Sequence, residues 1–244
     1  MATYAVPFFM GDPMPGFRVP EPHVPIEPEL DGPTPQARMA ALYRRLADAV
    51  ATDPGCPAVY AGDCVSIIGV TAGLQRRGIA PTLLFFDAHG DFHTWETSRS
   101  GFIGGMPLAM VTGRGEQTIM EGAGATPLPD GRAWLVDGRD LDPGEDEAIG
   151  GTSVHHVAAD RLLQVLPGGD LHLHIDVDVV DPRDMPAVNH PAPGGPSLQE
   201  VGDVVAAIHA TGRVRAFSIS SWNPAHEGAD RAADATDSLA APFL

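Results

Sequence analysis

The chain contains no lysine. All 15 of its basic residues are arginine, and 32 acidic residues oppose them for a formal charge of -17. Such a surface repels phosphate backbones and anionic bilayers, which argues against nucleic-acid and membrane partners. Long apolar runs are also absent. Nothing approaches the roughly 20 residues that cross a bilayer, and Met1-Ala2-Thr3-Tyr4 has neither the charged start nor the hydrophobic stretch of a signal peptide. The expected location is cytoplasmic. Cysteine is scarce: Cys56 and Cys64 are the only two, and a reducing compartment gives little reason to bridge them. What the chain does have is 244 residues with 43% of them apolar, enough for one sizeable core, so one domain over 1–244 is expected.

The apolar segments alternate in type. Tyr4 to Phe9 reads as a first strand, and the proline-rich stretch from Gly11 to Pro35 as a long loop or covering arm, because proline interrupts helices. Thr34-Pro35 offers an N-cap and a first-turn proline. Met39, Leu42, Tyr43, Leu46 and Val50 then recur at helical spacing, predicting a helix over Gln36 to Val50. Strand-like runs follow at 57–60, 82–86, 134–136, 171–177 and 214–219. Helical stretches fall near 65–75, 158–165, 198–210 and 226–239. Strands separated by helices mean a mostly parallel sheet covered on both sides.

The chemistry stands where two of these strands stop. Phe85-Phe86 runs into Asp87-Ala88-His89-Gly90-Asp91, and an extended chain sets alternate residues on one side. In the 171–177 strand, His172, His174, Asp176 and Asp178 share one face, and Leu171, Leu173, Ile175 and Val177 the other. A single aspartate after a strand is equally a turn or cap residue. Two such segments in one sheet carry more weight, because ligands sit beyond the carboxyl ends of parallel strands. Clustered carboxylates would have to protonate unless cations neutralise them, so a metal site is the economical reading.

With these elements the sequence resembles the arginase and agmatinase (ureohydrolase) family. The matching motifs are Ala61-Gly62-Asp63-Cys64, Asp87-Ala88-His89-Gly90-Asp91 and Asp176-Val177-Asp178-Val179-Val180-Asp181-Pro182, and Asn223-Pro224 is similar to the family's last element. The resemblance implies a three-layer α/β/α fold and two manganese ions bridged by hydroxide. It implies that Asp87 and Asp176 bridge both ions, Asp91 and Cys64 complete the first, and His89 with Asp178 complete the second. It also implies Asp91 as the catalytic residue that receives or orients the proton of the attacking hydroxide, and a homo-oligomer, trimer or hexamer. Gly138 to Glu145 is similar to the arginase form, where the positions of Asp142 and Glu145 hold an α-ammonium. Ser100 matches a carboxylate-holding position, and His93 stands where arginases usually have asparagine. Asp142 and Glu145 also read as a helix cap.

Three positions depart from the pattern. Cys64 replaces a metal-binding histidine, Gly104 a proton-shuttling histidine, and Ser221 a guanidinium-binding glutamate. A thiolate with four aspartates exceeds the charge of two dications, favouring a softer metal or a single ion with Cys64 neutral. Some arginase-like enzymes with cysteine at this place act on N-hydroxyarginine, a less basic guanidine. The expected function is a metal-dependent hydrolase that cleaves a C–N bond of a guanidino, hydroxyguanidino or related group on a small amino-acid-like substrate. The alternatives are a degenerate family member that binds without catalysis, and a metallohydrolase of another amide-type linkage. His226 and Glu227 lie near enough in sequence to replace the lost glutamate. Ser197 and Glu200 read as a capping box, Asp181 as a brace for the turn at Pro182, His155 and His156 as a strand end, and His190 as a loop residue beside the pocket or solvated.

Overall fold

A computed structural model describes residues 2–27 and 32–244. The first strand, β1 (Thr3–Val6), stops before Pro7, which has no N–H to donate. The expected run to Phe9 therefore divides: β2 (Phe8–Phe9) turns away and pairs antiparallel with β3 (Asp12–Pro13). The proline-rich arm also supplies β4 (Val24–Pro25), a two-residue edge strand beside β1, where proline is tolerated.

Helix α1 (Pro35–Thr52) starts as the sequence indicates, with Thr34 Oγ1 accepting from Ala37 N at 3.2 Å. There follow β5 (Ala58–Ala61), α2 (Ile67–Arg76) and β6 (Thr82–Asp87). The short helices α3 (Pro107–Val111) and α4 (Thr118–Ala123) precede β7 (Ala133–Asp137), and α5 (Glu145–Gly150) precedes β8 (His155–Val157). The predicted 158–165 helix is a 3-10 turn followed by α6 (Leu162–Val165). Then come β9 (Leu171–Asp176), α7 (Leu198–Ala210) and β10 (Val214–Ser220). The last helix, α8 (Ala229–Ala240), begins later than expected because Gly228 holds a left-handed φ of 84° just before it.

Among the described residues, eight strands form one parallel sheet in the order β4-β1-β5-β10-β9-β6-β7-β8. Leu42, Leu46, Ile68, Phe85 and Leu135 join one buried cluster that packs α1 and α2 on the sheet. Leu173, Ile175, Val201, Val205, Phe217 and Leu239 join the second, under α7 and α8 on the other face. These are the three layers the alternation implied. The register pairs Ser220 with both Asp176 and Ala61, and Asp87 with Asp137, so the strand ends stand level along one rim.

Candidate metal and substrate site

A cavity of about 470 Å³ opens at that rim. Cys64, Asp87, His89, Asp91, Asp176 and Asp178 all line it, as do His93, Ser100, Asp142 and Glu145. The structure therefore brings together all ten of these metal-ligand and substrate candidates. One local detail differs from the extended pattern. After Asp176 the chain enters a 3-10 turn over Val177–Val179, and this turn rather than strand alternation carries Asp178 to the cavity. His172 and His174 are buried below the rim, where both rings pair with Ser218 Oγ.

Asp87, His89 and Asp178 each present a ligand atom, and these atoms lie within 4.8 Å of one another. His89 Nδ1 stands 3.2 Å from Asp87 Oδ1 and 3.1 Å from Asp178 Oδ2. Asp91 is held in the left-handed region at φ 49°, a cost for a side-chain-bearing residue. Its Oδ2 lies 3.3 Å from Cys64 Sγ, which also faces Gly104 O at 3.6 Å.

Burial and then the charge of Asp176 push Asp87 up to about 6. Burial and then Asp87 push Asp178 up to about 6. Asp91 and Asp176 stand well above the ordinary carboxylate range for the same two reasons, burial first and neighbouring carboxylates second. Burial pulls His89 down, but its contacts with Asp178 and Asp87 outweigh this and raise the imidazole to about 12. Burial, with Asp91 next, pushes the Cys64 thiol well up. No arginine lines the cavity among the described residues, so the single charge of His89 is left to offset four carboxylates. Divalent ions would relieve this repulsion, and carboxylate, imidazole and thiolate are donors they accept. The donor set fits a metal centre.

Towards solvent, His93 Nε2 lies 3.2 Å from Asp142 Oδ2, and Nδ1 lies 3.1 Å from Thr97 Oγ1. Glu145 is buried, and both its oxygens accept backbone hydrogen bonds at 2.9 Å, from Phe92 N and Asp142 N. It thus fixes the loop that carries Asp142. Ser100 Oγ accepts from Phe102 N at 3.2 Å.

The three departures have structural counterparts. Cys64 stays beside Asp91. At Gly104, an added Cβ would stand 3.0 Å from Met10 Cε and closer still to the Phe102 ring, so Phe102 fills the space that a side chain there would need. Ser221, at φ 82°, donates from Oγ to Asp176 Oδ2 at 2.5 Å. His226 and Glu227 do not take over the role of the lost glutamate: neither lines the cavity, and His226 Nε2 instead lies 2.9 Å from Asn189 Oδ1. His190 does line it, with its ring centroid 5.3 Å from Phe102 and 6.2 Å from His89. Asp63, Asp140 and Asn189 also line it and were not singled out. Asp63 carried a signal in its motif, beside Cys64, whereas Asp140 and Asn189 sit in loops with no periodicity to mark them.

An eight-stranded parallel sheet with a carboxylate-rich cavity at its carboxyl rim defines an α/β protein with a candidate metal site at the ends of its strands. The arginase family model matches residues 21–244, and the chain belongs to that family, a family of hydrolases. It is 33% identical over 230 residues to the arginases of Brucella melitensis and Brucella suis, covering 86% of this chain and 72% of each relative. The crystal structure of Bacillus subtilis arginase superposes with a TM-score of 0.84 at 22% identity, over 100% of this chain and 97% of that one. Formimidoylglutamase from Bacillus subtilis shares the fold with a TM-score of 0.75 at 15% identity, over 99% and 85% of the two chains. Among the described residues, no helix is long and apolar enough to cross a membrane.

Proposed function

We propose that the protein hydrolyses a C–N bond in an amidino, hydroxyguanidino or related group of an amino-acid-like substrate, using two manganese ions. The observation that carries this reading is the convergence of four mutually repelling aspartates, His89 and Cys64 on one cavity without an arginine. Asp87, His89 and Asp178 would hold one ion, Asp91 and Cys64 the other, with Asp87 and Asp176 shared. When bound, the ions supply Lewis acidity and acidify a water for attack on a planar carbon. The chain's own residues do the rest. Asp91 is placed to receive or orient the proton of that water. Asp142, steadied by Glu145 and His93, reads the ammonium end of the substrate, and Ser100 its carboxylate end.

Two features favour a reacting group less basic than arginine. Without a carboxylate at position 221, a guanidinium loses a charge-assisted contact worth about 1.5–3 kcal/mol. With Phe102 beside Gly104, no side chain from position 104 can protonate the leaving nitrogen, a smaller loss for a weakly basic hydroxyguanidine.

Metal analysis combined with turnover tests this reading. Close to two equivalents of manganese, with faster release of hydroxyurea from N-hydroxy-L-arginine than of urea from L-arginine, is the expected result. Failure to retain metal after manganese loading would overturn it. Retained metal without turnover of either substrate would favour a binding protein.

A further inference from the structure

Below the cavity floor lies a polar chain that none of the roles above uses. Asp176 Oδ2 accepts from Ser221 Oγ at 2.5 Å, and Ser221 Oγ lies 3.0 Å from Ser220 Oγ. Ser220 Oγ lies 3.4 Å from His174 Nε2, His174 Nδ1 is 2.8 Å from Ser218 Oγ, and Ser218 Oγ is 2.9 Å from His172 Nε2. His172, His174, Ser218 and Ser220 have no exposed surface, and the chain ends on His172 Nδ1, which has no partner among the described residues.

The direction of these bonds follows from counting donors. A carboxylate only accepts, and a serine hydroxyl has one proton. Ser221 therefore donates to Asp176 and must itself accept from Ser220. Ser220, its proton committed, accepts from an N–H on His174 Nε2. His174 Nδ1 then accepts from Ser218, and Ser218 accepts from an N–H on His172 Nε2. The only group left over is a bare acceptor, His172 Nδ1. The opposite direction would strand a buried N–H on His172, a donor that folded proteins rarely leave unmet. Every proton in the chain thus points towards the Asp176 carboxyl group.

We propose that this chain, with Ser221 at its head, is a positioning device that fixes Asp176 in a single orientation towards the cavity. Asp176 Oδ1 accepts from Asp178 N at 3.2 Å, so each carboxylate oxygen has its own donor. The left-handed φ of 82° at Ser221 turns its hydroxyl back onto Asp176, and serine at this position orients a ligand instead of touching the substrate. The inference rests on the proposed role of Asp176 as a metal ligand, and its test separates the two.

In the metal-free protein, long-range 15N–1H spectra should show His172 and His174 as neutral Nε2–H tautomers. Ser218→Ala, remote from the cavity, should release His174 from that single tautomer. Isothermal titration should show Ser221→Ala weakening manganese binding by about tenfold. An Nδ1–H tautomer at His174, or an unchanged manganese affinity in Ser221→Ala, would overturn the proposal. Unmodified protein that binds no manganese while showing both Nε2–H tautomers would overturn the metal reading and leave the directed chain supported.

Discussion

Cys64 puts a thiol where the family resemblance implies an imidazole, and its neighbours decide what that does. Beside Asp91 and among three further carboxylates, deprotonation adds charge to a cluster already short of cations. Cys64→His should therefore tighten the weaker of two manganese-binding steps by about tenfold or more, the scale of a lost like-charge repulsion. An unchanged titration curve would show that the sulfur is not a ligand. Gly104 makes the converse case. A histidine there meets the Phe102 ring, and Gly104→His should cost about 1–3 kcal/mol in denaturant unfolding, the usual range for overpacking. Gly104→His combined with Phe102→Gly should recover most of that loss; equal destabilisation in both variants would rule out the ring as the obstacle. At this scale the aspartates were legible because their spacing matches the ends of apolar strands. Phe102 was not, since an aromatic in a loop carries no periodic mark, and Ser221 looked only like a missing glutamate until its hydroxyl was found on Asp176.

The elements that could be read from sequence were those with a long apolar period or a cap. Helix α7 shows both: Ser197 Oγ accepts from Glu200 N, Glu200 Oε2 accepts from Ser197 N at 2.8 Å, and Val201, Val205 and Ile208 are buried. Ser197→Ala should lower unfolding stability by about 1 kcal/mol and leave manganese affinity alone, because the capping box lies outside the cavity. A change in metal affinity would tie α7 to the site in a way the contacts do not. Asp181 likewise braces its turn, accepting from Arg183 N at 3.0 Å and Gly194 N at 3.1 Å. Helices α3 and α4 escaped sequence reading because six residues or fewer give less than two turns of pattern, whereas α5 was marked only by the cap reading of Asp142 and Glu145. The β2–β3 pair escaped because two-residue strands have no alternation to detect.

Across the whole molecule, the raised carboxylates link stability to pH. Asp87 and Asp178 move from 3.8 up to about 6, so the folded, metal-free chain holds protons that the unfolded chain has released. Below 3.8 neither state is ionised and the site costs nothing. As pH rises through about 6 the folded state must carry the repelling charges, and this site's contribution falls. Manganese and protons compete for the same oxygens, so the rise in Tm on adding manganese should be small at pH 5 and large at pH 8, and chelation at pH 8 should remove it. A shift independent of pH would mean that the ion binds elsewhere.

The ring beside Gly104 also bears on engineering. Any histidine placed there competes with the far edge of the Phe102 ring for the same space. An attempt to bring an imidazole over the cavity from this position therefore starts from the pair 102 and 104 rather than from 104 alone.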